Sequence, residues 1–266
     1  MSDEPTFSRP INRTRWWIHL VLIGGYFAAT IPLALSQSAL RHAFLGNTRV
    51  LIVTSVTRIA LFFVVFALAC FASGASRDDL LLRWRPSWWV VPLGLAYSIA
   101  LRIAIALVLF AFAVFLITAG MVSRDSLALF FSQNGPPVEK IVSLSAMRND
   151  PVYFWLTITL ISFIVAGLRE ELWRAGTLAA MRALWPNTFS NRTGELIAVC
   201  LIAIVFGLAH SPLGLLEVGI TAILGFLLGT IMVMHRSVWP AVIAHGAFDA
   251  MSFAMIPWAE NLRHLH

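Results

Sequence analysis

Five side chains able to accept or donate protons lie within or at the end of apolar stretches in the second half of the chain. Glu170 and Glu171 are adjacent and follow a long apolar run. His210 ends the next apolar run, and His245 and Asp249 lie four residues apart in the sequence AVIAHGAFDAMSFAM. Ionisable groups at membrane depth are costly and usually mark functional sites.

These residue types suit hydrolysis in two alternative ways. A carboxylate in a low-dielectric site, helped by histidine, can hold a water and take its proton. Histidine and a second polar group can then donate to the oxyanion that forms when this water attacks an amide. The same set could instead bind a divalent metal through one glutamate and two histidines, leaving one position for water. The residues alone leave both alternatives open.

The five side chains are expected to converge. His245 and Asp249 share one helix face and need polar partners from other helices. The available partners are His210, Glu170 and Glu171. The charged run that carries the two glutamates could alternatively be a solvated cap at a helix end. We favour one polar site because acids and histidines recur on three apolar segments.

Composition indicates a membrane protein. The 266 residues are 59% hydrophobic and 12% charged, with a mean hydropathy of +0.82. Soluble domains carry about 25% charged residues, and several apolar runs here exceed the length of about 18 residues that indicates a transmembrane helix. We expect an all-α, polytopic transmembrane bundle of seven or eight spans, in a bacterial inner or plasma membrane. A β-barrel would show alternating polarity instead.

The net charge of +6 comes from arginines that flank the apolar runs. This distribution is typical of orientation by the positive-inside rule, and it favours a cytoplasmic N-terminus. We therefore expect the lipid bilayer as a partner and no nucleic acid. Cys70 and Cys200 lie inside expected spans, so no disulfide is predicted.

The expected spans are about 16–36, 50–73, 88–121, 151–185, 196–210, 213–234 and 239–256. The third is one tilted helix or two segments broken around Arg102, a residue that must face protein or water. Arg58 is expected to extend to the interface. Residues 122–150 form the longest polar insert, and 186–195 a short polar connector. The chain divides into N-terminal helices with a polar loop (1–150), a catalytic helical core (151–256) and a polar tail (257–266).

A family resemblance rests on three motifs in order. The Glu-Glu pair, the FxxxH sequence ending at His210 and the HxxxD sequence from His245 to Asp249 resemble the CPBP intramembrane proteases. That family includes type II CAAX prenyl proteases and bacterial Abi-type proteins linked to bacteriocin processing or self-immunity. The resemblance covers about residues 150–256. It implies an intramembrane endopeptidase acting on a membrane protein or a prenylated or lipid-linked peptide.

The resemblance also implies roles for the site residues. Glu170 would activate the water, helped by His210, and Glu171 would support the pair. His245 and Asp249 would polarise the scissile carbonyl. In the metal-dependent alternative, Glu170, His210 and His245 would hold a divalent ion such as zinc.

The sequence departs from the family pattern at two positions. The first motif usually reads EExxxRG, but here Ala175 precedes Gly176 and the arginine falls one place earlier, at Arg174. Arg174 could still form an i,i+4 pair with Glu170, although its side chain would point about 100° from the usual direction. Asp249 stands where many members have asparagine, and only a protonated aspartic acid can donate to an oxyanion.

Two rival functions remain open. The first is a non-catalytic member of the same fold, acting as a membrane scaffold or immunity factor, which the displaced arginine would support. The second is a proton-coupled transporter that uses the acids and histidines as a relay. Repeated halves and paired broken helices, which are typical of transporters, are not visible in the sequence.

Overall fold

The computed structural model describes residues 12–36, 46–134 and 141–263, without the side chains of 31–36 and 257–263. These ranges are helical and contain no strand, as predicted. Five helices in them are long and apolar enough to cross a membrane: Thr48–Ser73, Ser87–Thr118, Pro151–Leu184, Arg192–Ala209 and Leu215–His235. The protein is an integral, multi-pass membrane protein, but the expected count of seven or eight spans is not confirmed.

Ten helices are labelled here in chain order. In the first half they are α1 (Arg13–Ser36), α2 (Thr48–Ser73), α3 (Val90–Thr118), α4 (Arg124–Asn134) and α5 (Leu144–Asn149). In the second half they are α6 (Pro151–Leu184), α7 (Pro186–Phe189), α8 (Arg192–Ala209), α9 (Leu215–His235) and α10 (Trp239–Arg263). Because α3 is continuous, the first of the two alternatives holds: this stretch is one helix, and it is not broken around Arg102. The polar insert 122–150 contains α4 and α5.

Polar side chains set the beginnings of α2 and α6. Asn47 accepts hydrogen bonds from the backbone amides at the start of α2. Asp150 does the same for α6, ahead of Pro151 in the first turn, and also accepts a hydrogen bond from the Thr48 hydroxyl. These hydrogen bonds, that from Thr48 first, lower the pKa of Asp150. The Thr48–Asp150 contact therefore joins the starts of both helices, whose free amides the caps satisfy.

The middle of α6 is wound more widely than its ends. Residues Thr157–Leu168 form π-helix, in which the backbone bonds span five residues. The buried Ser162 hydroxyl donates across the same interval to the Thr157 carbonyl at 3.0 Å. Regular α-helix resumes at Arg169, so the wide turns end directly before Glu170. Departures of this kind are frequent next to functional sites.

Glycines let α6 and α10 approach at backbone distance. A Cβ atom added to Gly167 would lie 2.9 Å from the Val242 carbonyl oxygen. A Cβ atom added to Gly246 would lie 2.3 Å from the Phe163 ring. Neither position has room for a side chain, so the sequence neighbour of Gly246, His245, is held against α6.

A second pair of glycines packs α9 against α8. A Cβ atom on Gly229 would lie 2.6 Å from Val199, and one on Gly225 would lie 3.2 Å from Phe206. The GxxxG spacing in α9 therefore marks a real helix contact, as small residues four apart often do in membranes. This contact places Phe206, and His210 one turn later, beside α9.

The prediction that residues 186–195 form a polar connector is wrong for its last residues, which belong to α8. Glu195 lies in the first turn of α8, is only 3% exposed, and pairs with Arg182 and Arg236. Arg182 also donates to the Asp79 carbonyl. A carboxylate shared by two guanidinium groups can be buried because its charge is compensated, which sequence polarity alone does not show. This cluster joins the ends of α6 and α9 to the start of α8.

We predict that Gly246→Ala destabilises the protein by about 1–3 kcal/mol, because the new methyl group must displace the Phe163 ring. Thermal unfolding of the purified full-length protein in detergent micelles would measure the change. Gly219→Ala is the control, since a Cβ there meets nothing within 4 Å. Equal unfolding temperatures for the two variants would contradict the close contact between α6 and α10.

Candidate active site

The site is built around the fully buried carboxylate of Glu171, which has no solvent exposure. One of its oxygens, Oε1, accepts a hydrogen bond from Nη1 of Arg174, one turn later on α6. The same oxygen lies 2.9 Å from Nδ1 of His245 on α10. A carboxylate buried this deeply requires such charged partners, because desolvation of an unpaired charge is very costly.

Arg174 is itself held from a third helix. Its guanidinium lies 3.9 Å from the centre of the Phe206 ring on α8, at a distance suited to a cation–π contact. The i,i+4 pair with Glu170, which the helix spacing allowed, is not the ion pair found here, since Arg174 binds Glu171 at i,i+3. The reason is burial: Glu171 and Arg174 face the bundle interior together, whereas Glu170 turns toward Arg169.

Glu170 lines a small cavity. Its Oε1 accepts a hydrogen bond from Arg169 at 2.8 Å, and its side chain is 14% exposed. The cavity has a volume of about 30 Å³ and is lined by Tyr26, Phe27, Thr30, Phe62, Arg169, Glu170 and Trp173. A single water needs only about 10–15 Å³ of such space. The buried Nε1–H of Trp173 has no hydrogen-bond partner among the described residues.

The imidazole of His245 touches three acids. Its Nδ1 bonds Glu171, and its Nε2 lies 3.9 Å from Oε2 of Glu170 and 3.8 Å from Oδ2 of Asp249. The Glu171 contact sets the ring orientation and the tautomer, because a carboxylate can only accept from Nδ1–H. Nε2 is thereby aimed at the space between Glu170 and Asp249. The structure thus brings four of the five proposed site residues together.

The fifth residue, His210, lies at the end of α8 and is bonded to its own helix. Its Nδ1 lies 2.8 Å from the Phe206 carbonyl oxygen, and the two rings are 4.6 Å apart. Among the described residues it makes no hydrogen bond to the other four. The ring of Phe206 lies between His210 and the guanidinium of Arg174.

Two polar residues around the site were not assigned to it from the sequence. Glu217, in the first turn of α9, interacts through charge with His210 and Asp249. Arg102 on α3 was expected to face protein or water, and its partner is the carbonyl of Phe248, next to Asp249. A carboxylate seven residues after His210 was a usable signal for Glu217. No signal in the sequence paired α3 with α10.

Glu170, His210 and His245 are the ligands of the metal-dependent alternative. Among the described residues, no three His, Cys, Asp or Glu side chains are grouped so that they could hold an ion. His245 already uses Nδ1 on Glu171, and His210 uses Nδ1 on its own helix. The ligand set Glu170, His210 and His245 stays a prediction.

We predict that Arg174→Met lowers the free energy of unfolding by about 3–5 kcal/mol, because it leaves the buried Glu171 carboxylate without its guanidinium partner and with only the His245 contact. Adding Glu171→Gln should recover part of this loss, since the uncompensated charge is then gone. Unfolding in detergent would measure both changes. Arg83→Met, at an exposed ion pair with Asp78, is the control and should change little. No recovery in the double variant would contradict the pairing.

The comparisons with known proteins match the part of the chain that contains this site. Residues 151–251 match the family model described as "Type II CAAX prenyl endopeptidase Rce1-like". No curated protein and no solved structure gives a significant match. The match contains Glu170, Glu171, His210, His245 and Asp249, which are the residues that carried the resemblance. The resemblance to the CAAX protease-like family is thus confirmed, and residues 151–251 of this membrane protein are Rce1-like.

Proposed function

We propose that the protein is an intramembrane endopeptidase in which Glu170 activates a water molecule to hydrolyse a peptide bond. Its substrate would be a membrane-embedded or lipid-linked protein or peptide. The family match supports a protease. The observation that carries the mechanism is the position of Glu170 between a cavity large enough for water and the free Nε2 of His245.

The two glutamates have different surroundings, which supports different roles. Glu171 is fully buried and shares one oxygen between Arg174 and His245, so it orients side chains and cannot reach a substrate. Glu170 is slightly exposed, and the cavity lies beside it. Glu170 is therefore the carboxylate suited to be the general base.

The proposed reaction follows from these positions. Glu170 takes a proton from the water, and the water oxygen bonds to the carbonyl carbon of the scissile peptide. His245, when it carries a proton on Nε2 in addition to the one on Nδ1, donates through Nε2–H to the oxyanion, and Asp249 contributes if it is protonated. When the C–N bond breaks, the proton held by Glu170 passes to the departing amine. One water is consumed, and a carboxyl and an amino terminus are formed. The role of His210 as a helper of Glu170 stays a prediction.

A non-catalytic member of the fold is the second candidate, favoured by the departure at Arg174 and Ala175. Arg174 is nevertheless buried and paired with Glu171. This arrangement supports an intact site despite the shift of one residue. A test of activity separates the two candidates.

We predict that Glu170→Gln removes cleavage, with a loss of about 10²–10⁴-fold, because an amide cannot take a proton from water. The measurement is a quantitative comparison of peptides and new termini in membranes of cells carrying the native protein or the variant at matched levels. Termini that appear only with the native protein would identify substrate and cleavage site together.

Asp125→Asn is the matched control, because Asp125 is an exposed carboxylate on α4. It should give the native set of termini. Identical termini in native and Glu170→Gln membranes, with a phenotype still seen on deletion, would favour the non-catalytic candidate. Loss of the native-only termini with a chelator would favour the metal-dependent alternative.

We predict that Glu170→Asp also fails to cleave, because the carboxylate retracts by one methylene from the water and the substrate carbonyl. A proton-relay transporter would tolerate this change better, since the ionisable group is retained. The same termini measure the outcome, and a proton-flux assay in vesicles of reconstituted protein tests the alternative. Near-native cleavage by Glu170→Asp would rule out an aligned water at this residue.

A further inference from the structure

Arg102 is a charged side chain deep in α3, outside the part of the chain that matches the family model. With a rise of about 1.5 Å per residue, it lies about 18 Å from one end of the helix and about 24 Å from the other. Its neighbours Ile99 and Ile103 are 54% and 56% exposed and face outward. A guanidinium at this depth is costly and must have a partner inside the bundle.

The packing of α3 aims Arg102 at α10. A Cβ atom on Gly94 would lie 2.5 Å from Ile243, so the two helices touch there. Ser98, one turn later, is buried, and its Oγ lies 4.0 Å from Met251 Sδ. Arg102 follows at the same spacing of four residues, so it shares the face that contacts α10.

The contacts of Arg102 bracket Asp249. Its Nη2 donates to the backbone carbonyl of Phe248 and to Oγ of Ser252, the latter at 3.2 Å. Its Cζ lies 4.3 Å from the centre of the Phe248 ring. Three interactions thus hold the turn that carries Asp249, and the guanidinium charge also acts on the Asp249 carboxylate.

The charges of the site can be assigned in pairs. Glu170 is bonded to Arg169, and Glu171 to Arg174. Asp249 is the third acid around His245, and Arg102 is the arginine bonded on either side of it, to Phe248 and Ser252. Without Arg102, the charges that act on the Asp249 carboxylate would be those of His245 and of two further acids, Glu170 and Glu217.

We propose that Arg102 is a positioning residue of the active site. It holds in place the turn of α10 that carries Asp249, one turn after His245, and it balances the charge of the Asp249 carboxylate. The catalytic consequence rests on the proposed function, whereas the charge balance does not. Arg102 touches no reacting atom and acts through Asp249. Helix α3 thereby contributes a residue to the active site, although it lies outside the segment that matches the family model.

The test is a double-mutant cycle on the full-length protein in detergent, with Arg102→Met, Asp249→Asn and the combination. We expect Arg102→Met to lower the unfolding temperature and to reduce, at least about tenfold, cleavage of a substrate found by the comparison of membrane termini. In the Asp249→Asn background, Arg102→Met should change cleavage less than about threefold, because no carboxylate charge is left to balance. Arg102→Lys, which keeps the charge, should recover part of both losses.

Arg124→Met is the control, since Arg124 is exposed at the start of α4, and it should leave both readouts unchanged. Equal losses on Arg102→Met in the native and Asp249→Asn backgrounds would overturn the proposal, and would show that Arg102 only joins α3 to α10. If the native protein cleaves nothing, the proposed protease function fails. The unfolding temperatures alone then decide the charge balance between Arg102 and Asp249.

Discussion

The desolvated carboxylate of Glu171 is the constraint on which the rest of the site depends. A charge without exposure is stable only if donors from other parts of the bundle reach it, and these come from Arg174 on the same helix and His245 on α10. The phenyl ring of Phe206 covers Arg174 from α8. A single buried acid thus fixes the relative rotation of three helices and leaves its neighbour Glu170 free to face a cavity.

The backbones of α6 and α10 also help to bring His245 close to Glu171. The π-helical stretch ends directly before the two glutamates, and Gly167 and Gly246 bring α6 and α10 together at the level of His245. Glycine is needed here because any side chain would separate the helices. At the C-terminal end of α6, Glu195 pairs with Arg182 of α6 and with Arg236 at the end of α9. Charge pairs therefore hold the C-terminal end of α6 and the turn after Glu171, and close packing holds the stretch before it.

The sequence predicted the helical class and the motif residues because both depend on local signals: long apolar runs, and acids or histidines within them. It failed where an outcome depended on three-dimensional pairing. Helix spacing allowed Arg174 to pair with Glu170, but its ion-pair partner in the buried interior is Glu171. Glu195 was taken as part of a polar connector, because its two arginines come from distant positions. The partner of Arg102 lies about 150 residues away on α10, beyond the reach of any periodicity.

The cavity beside Glu170 is walled largely by Tyr26, Phe27, Thr30 and Phe62, which belong to α1 and α2. The segment with the family motifs consequently does not contain the whole site. Without α1 and α2, Glu170 would face lipid in place of these mostly aromatic side chains. Changes in α1 and α2 can therefore reshape this enclosure while Glu170, Glu171, His245 and Asp249, which lie on α6 and α10, stay in place.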